Sequence, residues 1–400
     1  MEDGPLRILV ASPAWWPARA FGGPVVAARE LVGRLTQRGH AVEVVTTTLL
    51  DVGERPSRST WASEVDGATV HYLGTPVRYR WMGAPPSLPG VLRDLARPDV
   101  VHVHGFRDPV TTWTEGWAHR EGIPTVFEPL GMLRARLRKV ALKKALDAAL
   151  FDRVARRADA VVVVSEREAR DVEAKGIPRD RVVVRGLGFP DPADVPRPDG
   201  SLRRQLGIGA DVPLAVYVGR IASGKGIEHL VAAARALPDL HVALIGPDDR
   251  HASMSGLHAE LADAALAGRV RLLGATSDPP IALVGEADVA VAASEGDSFG
   301  LAAAEALAAG VPLVVSDRCG ITGFLREGEA LVVPYAREAV VAAIERVLRE
   351  PGLAAALRAG GRVAASRCTW EQVTDVQERV YRDVVAAART ASRNAPAIGA

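Results

Sequence analysis

Asp297 and Glu305 stand eight residues apart in SEGDSFGLAAAEALAAG (294–310), on either side of a Phe-Gly-Leu turn that opens an alanine-rich run. Asp297 or Ser298 is placed to cap a helix starting near Gly300. The amides of Phe299, Gly300 and Leu301 would then point outward and favour negative charge. A carboxylate repels a phosphate, so the two acids suit hydroxyl groups, which an ionised carboxylate can accept from. A ligand that carries a diphosphate and many hydroxyls is a sugar nucleotide. Taken alone, the same residues also make an N-cap aspartate and an exposed helix glutamate.

A second stretch, VYVGRIASGKGIEHLVAAAR (216–235), runs from an apolar strand through a glycine-rich loop into a helix. Gly219 and the other loop glycines let backbone approach a ligand, and a helix start favours anions. Arg220 and Lys225 add two cations suited to a diphosphate. A tight turn with solvated cations is the alternative. The spacing Gly219-x-x-x-x-Gly224-Lys225 also matches a phosphate-binding NTPase loop. Gly226 then stands where that motif needs a hydroxyl for Mg²⁺, which speaks against an NTPase.

Such loops need strands and helices to position them. In the first half, LRILVA (6–11), AVEVVTT (41–47), VVHVH (100–104), PTVF (124–127) and AVVVVS (160–165) are near-continuous apolar runs separated by helical patterns. That alternation predicts a parallel sheet covered on both faces. The proline-rich GFPDPADVPRPDG (188–200) reads as a linker. Alternation restarts with PLAVYVG (213–219), LHVALIG (240–246), RVRLLG (269–274), DVAVAAS (288–294), VPLVVSD (311–317) and ALVVP (330–334). The fold class is therefore α/β, with two Rossmann-like doubly wound domains; facing each other, they would set two groups of strand-end loops across a cleft. The expected boundaries are 1–188, 189–368 and a C-terminal helix at 369–390 packing back toward the first domain. Ligands should gather at the carboxyl ends of the strands.

These stretches together resemble the retaining family 4 glycosyltransferases of the GT-B type, whose signature is D/E-x7-E. The resemblance covers most of the chain. VGRIASGKGIEHLVAA is similar to that family's diphosphate loop, and EALAAGVPLVVSD to the segment after its second acid. PARAFGGPVVAARELVGRLTQRGHAVEVVT, DVVHVHGFRD and IPTVFEPLGML resemble its N-terminal domain. The resemblance implies a nucleoside-diphosphate sugar as donor, with no cofactor. Arg220 and Lys225 would neutralise its diphosphate, beside Gly219 and with Gly22 and Gly23 closing on the phosphates. Glu305 would hold ribose hydroxyls. Asp297 would bind hydroxyls of the transferred hexose, next to the amides of Phe299, Gly300 and Leu301. The acceptor would be a glycan, a lipid-linked molecule or a small molecule. Two departures stand out: the first acid is Asp297 where Glu is usual, and Leu130 occupies the place of an acceptor-domain histidine.

His102 and His104 alternate on one strand and so share a face. His104, at the strand end, is the candidate to replace the missing histidine in catalysis. Their H-x-H spacing could also ligate a metal, but no third ligand is evident, and no D-x-D triplet occurs. Metal-independent transfer is the expectation. Six of seven tryptophans (Trp15, Trp16, Trp61, Trp81, Trp113 and Trp117) fall in the first domain, where they suit sugar stacking or core packing alike. The stretch 132–157 holds nine Lys or Arg against two Asp, enough for peripheral contact with an anionic inner-membrane surface or merely for a solvated basic face.

The net charge of +1 and the absence of aromatic interleaving in the basic stretch argue against nucleic acid. Two cysteines, Cys319 and Cys368, give no disulfide framework, and a cytoplasmic location fits. The competing functions are a sugar-nucleotide-binding protein with impaired catalysis and a nucleotide-sugar epimerase of the same fold. A phosphorylase would need a cofactor lysine that is not identifiable.

Overall fold

The computed structural model describes residues 4–18, 21–51, 54–79, 82–133, 151–248, 255–261, 263, 266, 268–276 and 280–394. Most of the basic stretch 132–157, together with Trp81 and the tail 395–400, lies outside them. Two compact units emerge: Met1–Arg185 with Glu371–Ala400, and Gly186–Trp370.

The strands of the first unit are β1 (Arg7–Ala11), β2 (Ala41–Thr47), β3 (Trp61–Val65), β4 (Ala68–Leu73), a small hairpin β5–β6 (Val77–Tyr79 and Met82–Ala84), β7 (Val100–His104), β8 (Thr125–Glu128), β9 (Ala160–Val163) and β10 (Val182–Val184). Eight of them form one sheet in the order β10-β9-β8-β7-β1-β2-β4-β3. Every pairing in it is parallel except β3 with β4. Each residue of β7, β8 and β9 is buried, which is why those runs are so continuously apolar. The edge strand β3 escapes sequence reading for the opposite reason. Its WASEV is mostly exposed and carries polar residues, as edges do, and Trp61 is fixed by stacking on Tyr72 at 5.1 Å.

The second unit holds β11 (Leu214–Val218), β12 (His241–Ile245), β13 (Val270–Gly274), β14 (Val289–Ala292), β15 (Leu313–Ser316) and β16 (Leu331–Val333). They make an all-parallel sheet in the order β13-β12-β11-β14-β15-β16. The order reverses between β11 and β14, and the loops leaving these two strands carry the candidate chemistry. Leu230, Leu244, Val289 and Ile344 anchor its core, and Leu9, Val101, Phe127 and Val161 anchor that of the first unit. Each such side chain contributes about 1.5–3 kcal/mol by leaving water.

The helix Trp370–Asn394 is amphipathic, and its residues from Glu371 onward belong to the first unit. Arg38 binds it through Glu371, Asp375 (2.7 Å) and Glu378 (3.0 Å). Among the described residues, no helix is long and apolar enough to cross a membrane.

Candidate active site

The loop after β11 is built around glycines that tolerate no replacement. Gly219 has φ +145°, and a Cβ there would sit 2.8 Å from the Tyr217 hydroxyl, which donates to the Arg220 carbonyl at 2.9 Å. Gly226 caps the helix Ile227–Ala236 with φ +72°, and a Cβ there would lie 1.8 Å from the Ala293 carbonyl oxygen. A serine or threonine cannot stand at that position, so the NTPase pattern fails on backbone geometry as well as on sequence. The Arg220 side chain is exposed and has no hydrogen bond or ion pair among the described residues.

The loop after β14 is sewn to the first. Ser294 Oγ and the Glu295 amide both donate to the Gly224 carbonyl, at 3.2 and 2.9 Å. Lys225 Nζ meets Asp297 Oδ2 at 2.7 Å. Here the structure corrects the expected cap: Gly300, with φ +109°, precedes the helix Leu301–Ala308, and no side chain caps it. Asp297 turns to Lys225 instead.

Phe299 is buried between Phe189 and Phe324, at centroid distances of 6.1 and 5.5 Å. Its carbonyl accepts from the Ile321 amide (2.8 Å) and Cys319 Sγ (3.0 Å), while the Asp297 carbonyl accepts from the Gly320 amide (3.0 Å). The carbonyls of this loop are thus occupied. The amides of Phe299, Gly300 and Leu301 have no acceptor among the described residues. Free amides at a helix start make an anion site.

Glu305 lies in the second turn of that helix. Its carboxylate is half-buried and has no partner among the described residues, and burial pushes its pKa up to about 7. A carboxylate held out of water without a donor is an incomplete arrangement that a ligand hydroxyl would complete.

In the first unit, Gly22 precedes the helix Gly23–Gln37 with φ +75°, and Gly23 is that helix's first residue. His104 does not stand open at the strand end, as the sequence suggested; it is 1% exposed. Its Nε2 lies 3.1 Å from His102 Nδ1, which also meets the Tyr381 hydroxyl at 2.6 Å. Burial lowers the pKa of both histidines, so they are neutral. The reason for the burial is a partner that sequence reading missed. Glu128 ends β8 beside them, and Arg185, just past β10, binds its Oε1 at 2.6 Å. Against the upward push of burial, the Arg185 charge, helped by His102 Nε2 at 3.3 Å, holds the Glu128 carboxyl well below the usual range. The only sequence signal was a charge ending an apolar run, in TVFE and again in VVVR.

Glu128 also supplies the third ligand type that seemed missing. One ligand atom from each of His102, His104 and Glu128 lies within 4.8 Å of the others. The imidazole centroids are 4.1 Å apart, whereas two rings aimed at one tetrahedral ion with bonds of about 2 Å would be separated by about 5 Å. Arg185 already neutralises the carboxylate. The cluster is a hydrogen-bonded charge network that ties β7, β8 and β10 to the C-terminal helix.

Leu130 has a left-handed φ of +52° in the loop after β8. The Glu168 carboxylate accepts from the amides of Gly131 and Val164 (2.9 Å for Val164), and Arg107 donates to the carbonyls of Met132 and Leu133 (2.9 Å for Leu133). The place of the usual histidine is therefore a rigid backbone turn with an apolar side chain. Trp15 is buried, while half-buried Trp16 has the Arg29 guanidinium over one face at 4.1 Å.

Two family profiles cover the chain: "Glycosyl transferase 4-like domain" matches residues 22–188 and "Glycosyl transferases group 1" matches 199–363. A protein of Thermobispora bispora named D-inositol 3-phosphate glycosyltransferase is 30% identical over 74% of this chain and 76% of its own length. The chain belongs to the family 4 glycosyltransferases. A second such relative, from Stackebrandtia nassauensis, is 27% identical over 99% of this chain and 96% of its own. The fold of this glycosyltransferase is GT-B. Sucrose-phosphate synthase from Thermosynechococcus elongatus superposes with a TM-score of 0.77 at 22% identity, covering 96% of this chain and all of that one. The Anabaena protein HepE, solved with UDP and glucose, gives 0.74 at 16% identity, covering 94% and all of it. The transferase thus carries Gly219, Arg220, Lys225, Asp297, Phe299, Gly300, Leu301 and Glu305 on two adjoining loops and one helix of its second unit.

Proposed function

We propose that this glycosyltransferase takes a nucleoside-diphosphate sugar as donor and transfers the sugar, with retention and without a metal ion, to a hydroxyl of its acceptor. The observation that carries the reading is a set of unmet groups on the second unit. Among the described residues, Arg220 and the amides of Phe299, Gly300 and Leu301, on the two loops that the Lys225–Asp297 pair joins, have no partner, and neither has Glu305 on the helix that follows. A diphosphate satisfies the first two, ribose hydroxyls satisfy Glu305, and sugar hydroxyls replace Lys225 on Asp297.

In the reaction the bond from the anomeric carbon to the departing phosphate oxygen breaks. The acceptor oxygen forms its new bond on that same face, and its proton passes to an oxygen of the leaving diphosphate. Charge developing there is stabilised by the amides of Phe299, Gly300 and Leu301, which the helix start fixes before reaction, and by Arg220 and Lys225, which turn to the diphosphate when it binds. No protein nucleophile takes part; Asp297 orients the sugar. The names of the relatives support a phosphorylated polyol as the acceptor, and HepE, which was solved with UDP and glucose, supports UDP as the carrier.

Calorimetric titration with UDP, GDP, ADP and TDP, with and without Mg²⁺, tests the reading. Metal-free binding of one diphosphate, weakened in Arg220→Ala, is the expected result. Failure of all four to bind would remove the donor site, and binding that needs Mg²⁺ would remove the metal-free mechanism.

A further inference from the structure

On the first unit, away from the loops just described, a cavity of about 850 Å³ opens between the helices Leu88–Asp94, Pro109–Arg120 and Asp152–Arg157. Pro109–Arg120 starts just past the carboxyl end of β7, so its later residues lie progressively farther from the strand ends. Trp113, Gly116, Trp117 and Arg120 recur at positions i, i+3, i+4 and i+7 and line the cavity from one face of that helix. Arg153 and Arg157, one turn apart, line it from the helix opposite.

Three features separate this cavity from an ordinary groove between helices. Trp113 is 45% exposed, a large apolar surface left in water. Arg120, Arg153 and Arg157 form no ion pair among the described residues. Glu115, which also lines the cavity, is 1% exposed and neither carboxylate oxygen has a hydrogen-bond partner among the described residues. Burial raises its pKa against the pull of Arg157, Arg153 and Arg120, none of which forms an ion pair with it among the described residues. An indole face, a set of unpaired guanidinium groups and a buried acceptor call for one ligand with three properties. It has an apolar sugar face, fixed negative charge, and hydroxyls to donate.

We infer that this cavity is a second carbohydrate site, which holds an anionic glycan with Trp113 and Trp117 against sugar rings, Arg120, Arg153 and Arg157 on its acidic groups, and Glu115 accepting from a hydroxyl. The site is concave and its carboxylate lies inward, which suits a glycan chain and disfavours a flat anionic lipid surface. The inference stands apart from the donor reading, because none of these residues belongs to the second unit.

Gly116 provides the cleanest test. A Cβ there would meet only the far end of Arg120, at 3.7 Å, so Gly116→Leu fills the cavity without a backbone clash, in a helix that glycine itself weakens. Titrations of the full chain would use oligogalacturonides and a phosphorylated mannan fragment, with maltooligosaccharides as the neutral control and phosphatidylglycerol vesicles as the lipid control. The expected result is binding of an acidic oligosaccharide with a change in tryptophan fluorescence. Affinity should fall about tenfold or more in Gly116→Leu and in the Arg153→Ala/Arg157→Ala pair, with less loss in Glu115→Gln. Nucleoside-diphosphate affinity and the thermal midpoint should stay at wild-type values in Gly116→Leu. The proposal is overturned if no acidic oligosaccharide binds, if neutral ones bind as well, if Gly116→Leu binds like wild type, or if only vesicles bind.

Discussion

The Lys225–Asp297 pair makes an unusual demand: removing a charged residue from the proposed donor site should tighten the binding of one product. Nζ and Oδ2 are 2.7 Å apart, with the side chains 26% and 31% exposed. That places the pair between surface pairs worth a few tenths of a kcal/mol and charge-assisted bonds worth about 1.5–3 kcal/mol; about 1 kcal/mol is a fair figure. A bare nucleoside diphosphate must draw Lys225 away from Asp297 and then sit beside an unpaired carboxylate. Asp297→Asn keeps the shape and removes both costs. Diphosphate affinity should then rise about fivefold, the equivalent of about 1 kcal/mol, and the difference should shrink as salt screens the charges. Sugar transfer should fall sharply in the same variant, because the proposed role of Asp297 is to orient the sugar. Calorimetry of the diphosphate and a transfer assay measure the two effects separately. Weaker diphosphate binding by Asp297→Asn, or undiminished transfer, would refute the assignment.

Arg220→Ala should weaken diphosphate binding by about 2–3 kcal/mol, as titration would measure, since Arg220 has no structural partner among the described residues to complicate the loss. For Glu305, burial raises the carboxyl to about 7, and ligand hydroxyls favour its ionised form. Donor affinity should therefore climb as pH rises toward about 7 and level off above it, and Glu305→Gln should flatten that rise in a pH series of titrations. Gly226→Ser should destabilise the second unit by about 2 kcal/mol or more, read from denaturant unfolding, because both the positive φ and the 1.8 Å approach to Ala293 forbid a side chain. Arg185→Met should cost about 3–5 kcal/mol of the first unit's stability by leaving Glu128 buried and without its cation, again measurable in denaturant.

The stretches that were legible in the sequence are those where local chemistry and the fold make the same demand. The four inner strands of the second unit, β12, β11, β14 and β15, appear as apolar runs, because parallel strands covered on both faces need them, while the edges β13 and β16 keep enough Val and Leu to be read despite their exposure. Gly219, Gly224 and Gly226 mark a loop that only glycine can trace, and each has a positive φ. Asp297 and Glu305 were recognisable by their spacing across a helix start. Strand β3 was not legible, since an exposed edge needs no apolar pattern, and the expected Asp297 cap was wrong because a more distant cation competes for the carboxylate.

What the sequence determined by itself is the α/β architecture and the loops that carry Gly219, Lys225, Asp297 and Glu305, since strand periodicity, glycine positions and motif spacing are local properties of the chain. Tertiary structure alone decided the roles of charged groups that lie far apart in sequence. Lys225 and Asp297 meet across 72 residues, and Arg185 reaches Glu128 across 57. Charge interactions depend on distance in space and on exclusion of water, and neither is written in residue order. His104 therefore looked like an open catalytic group in the sequence, and only the packed strands revealed it as a neutral, buried member of a structural network.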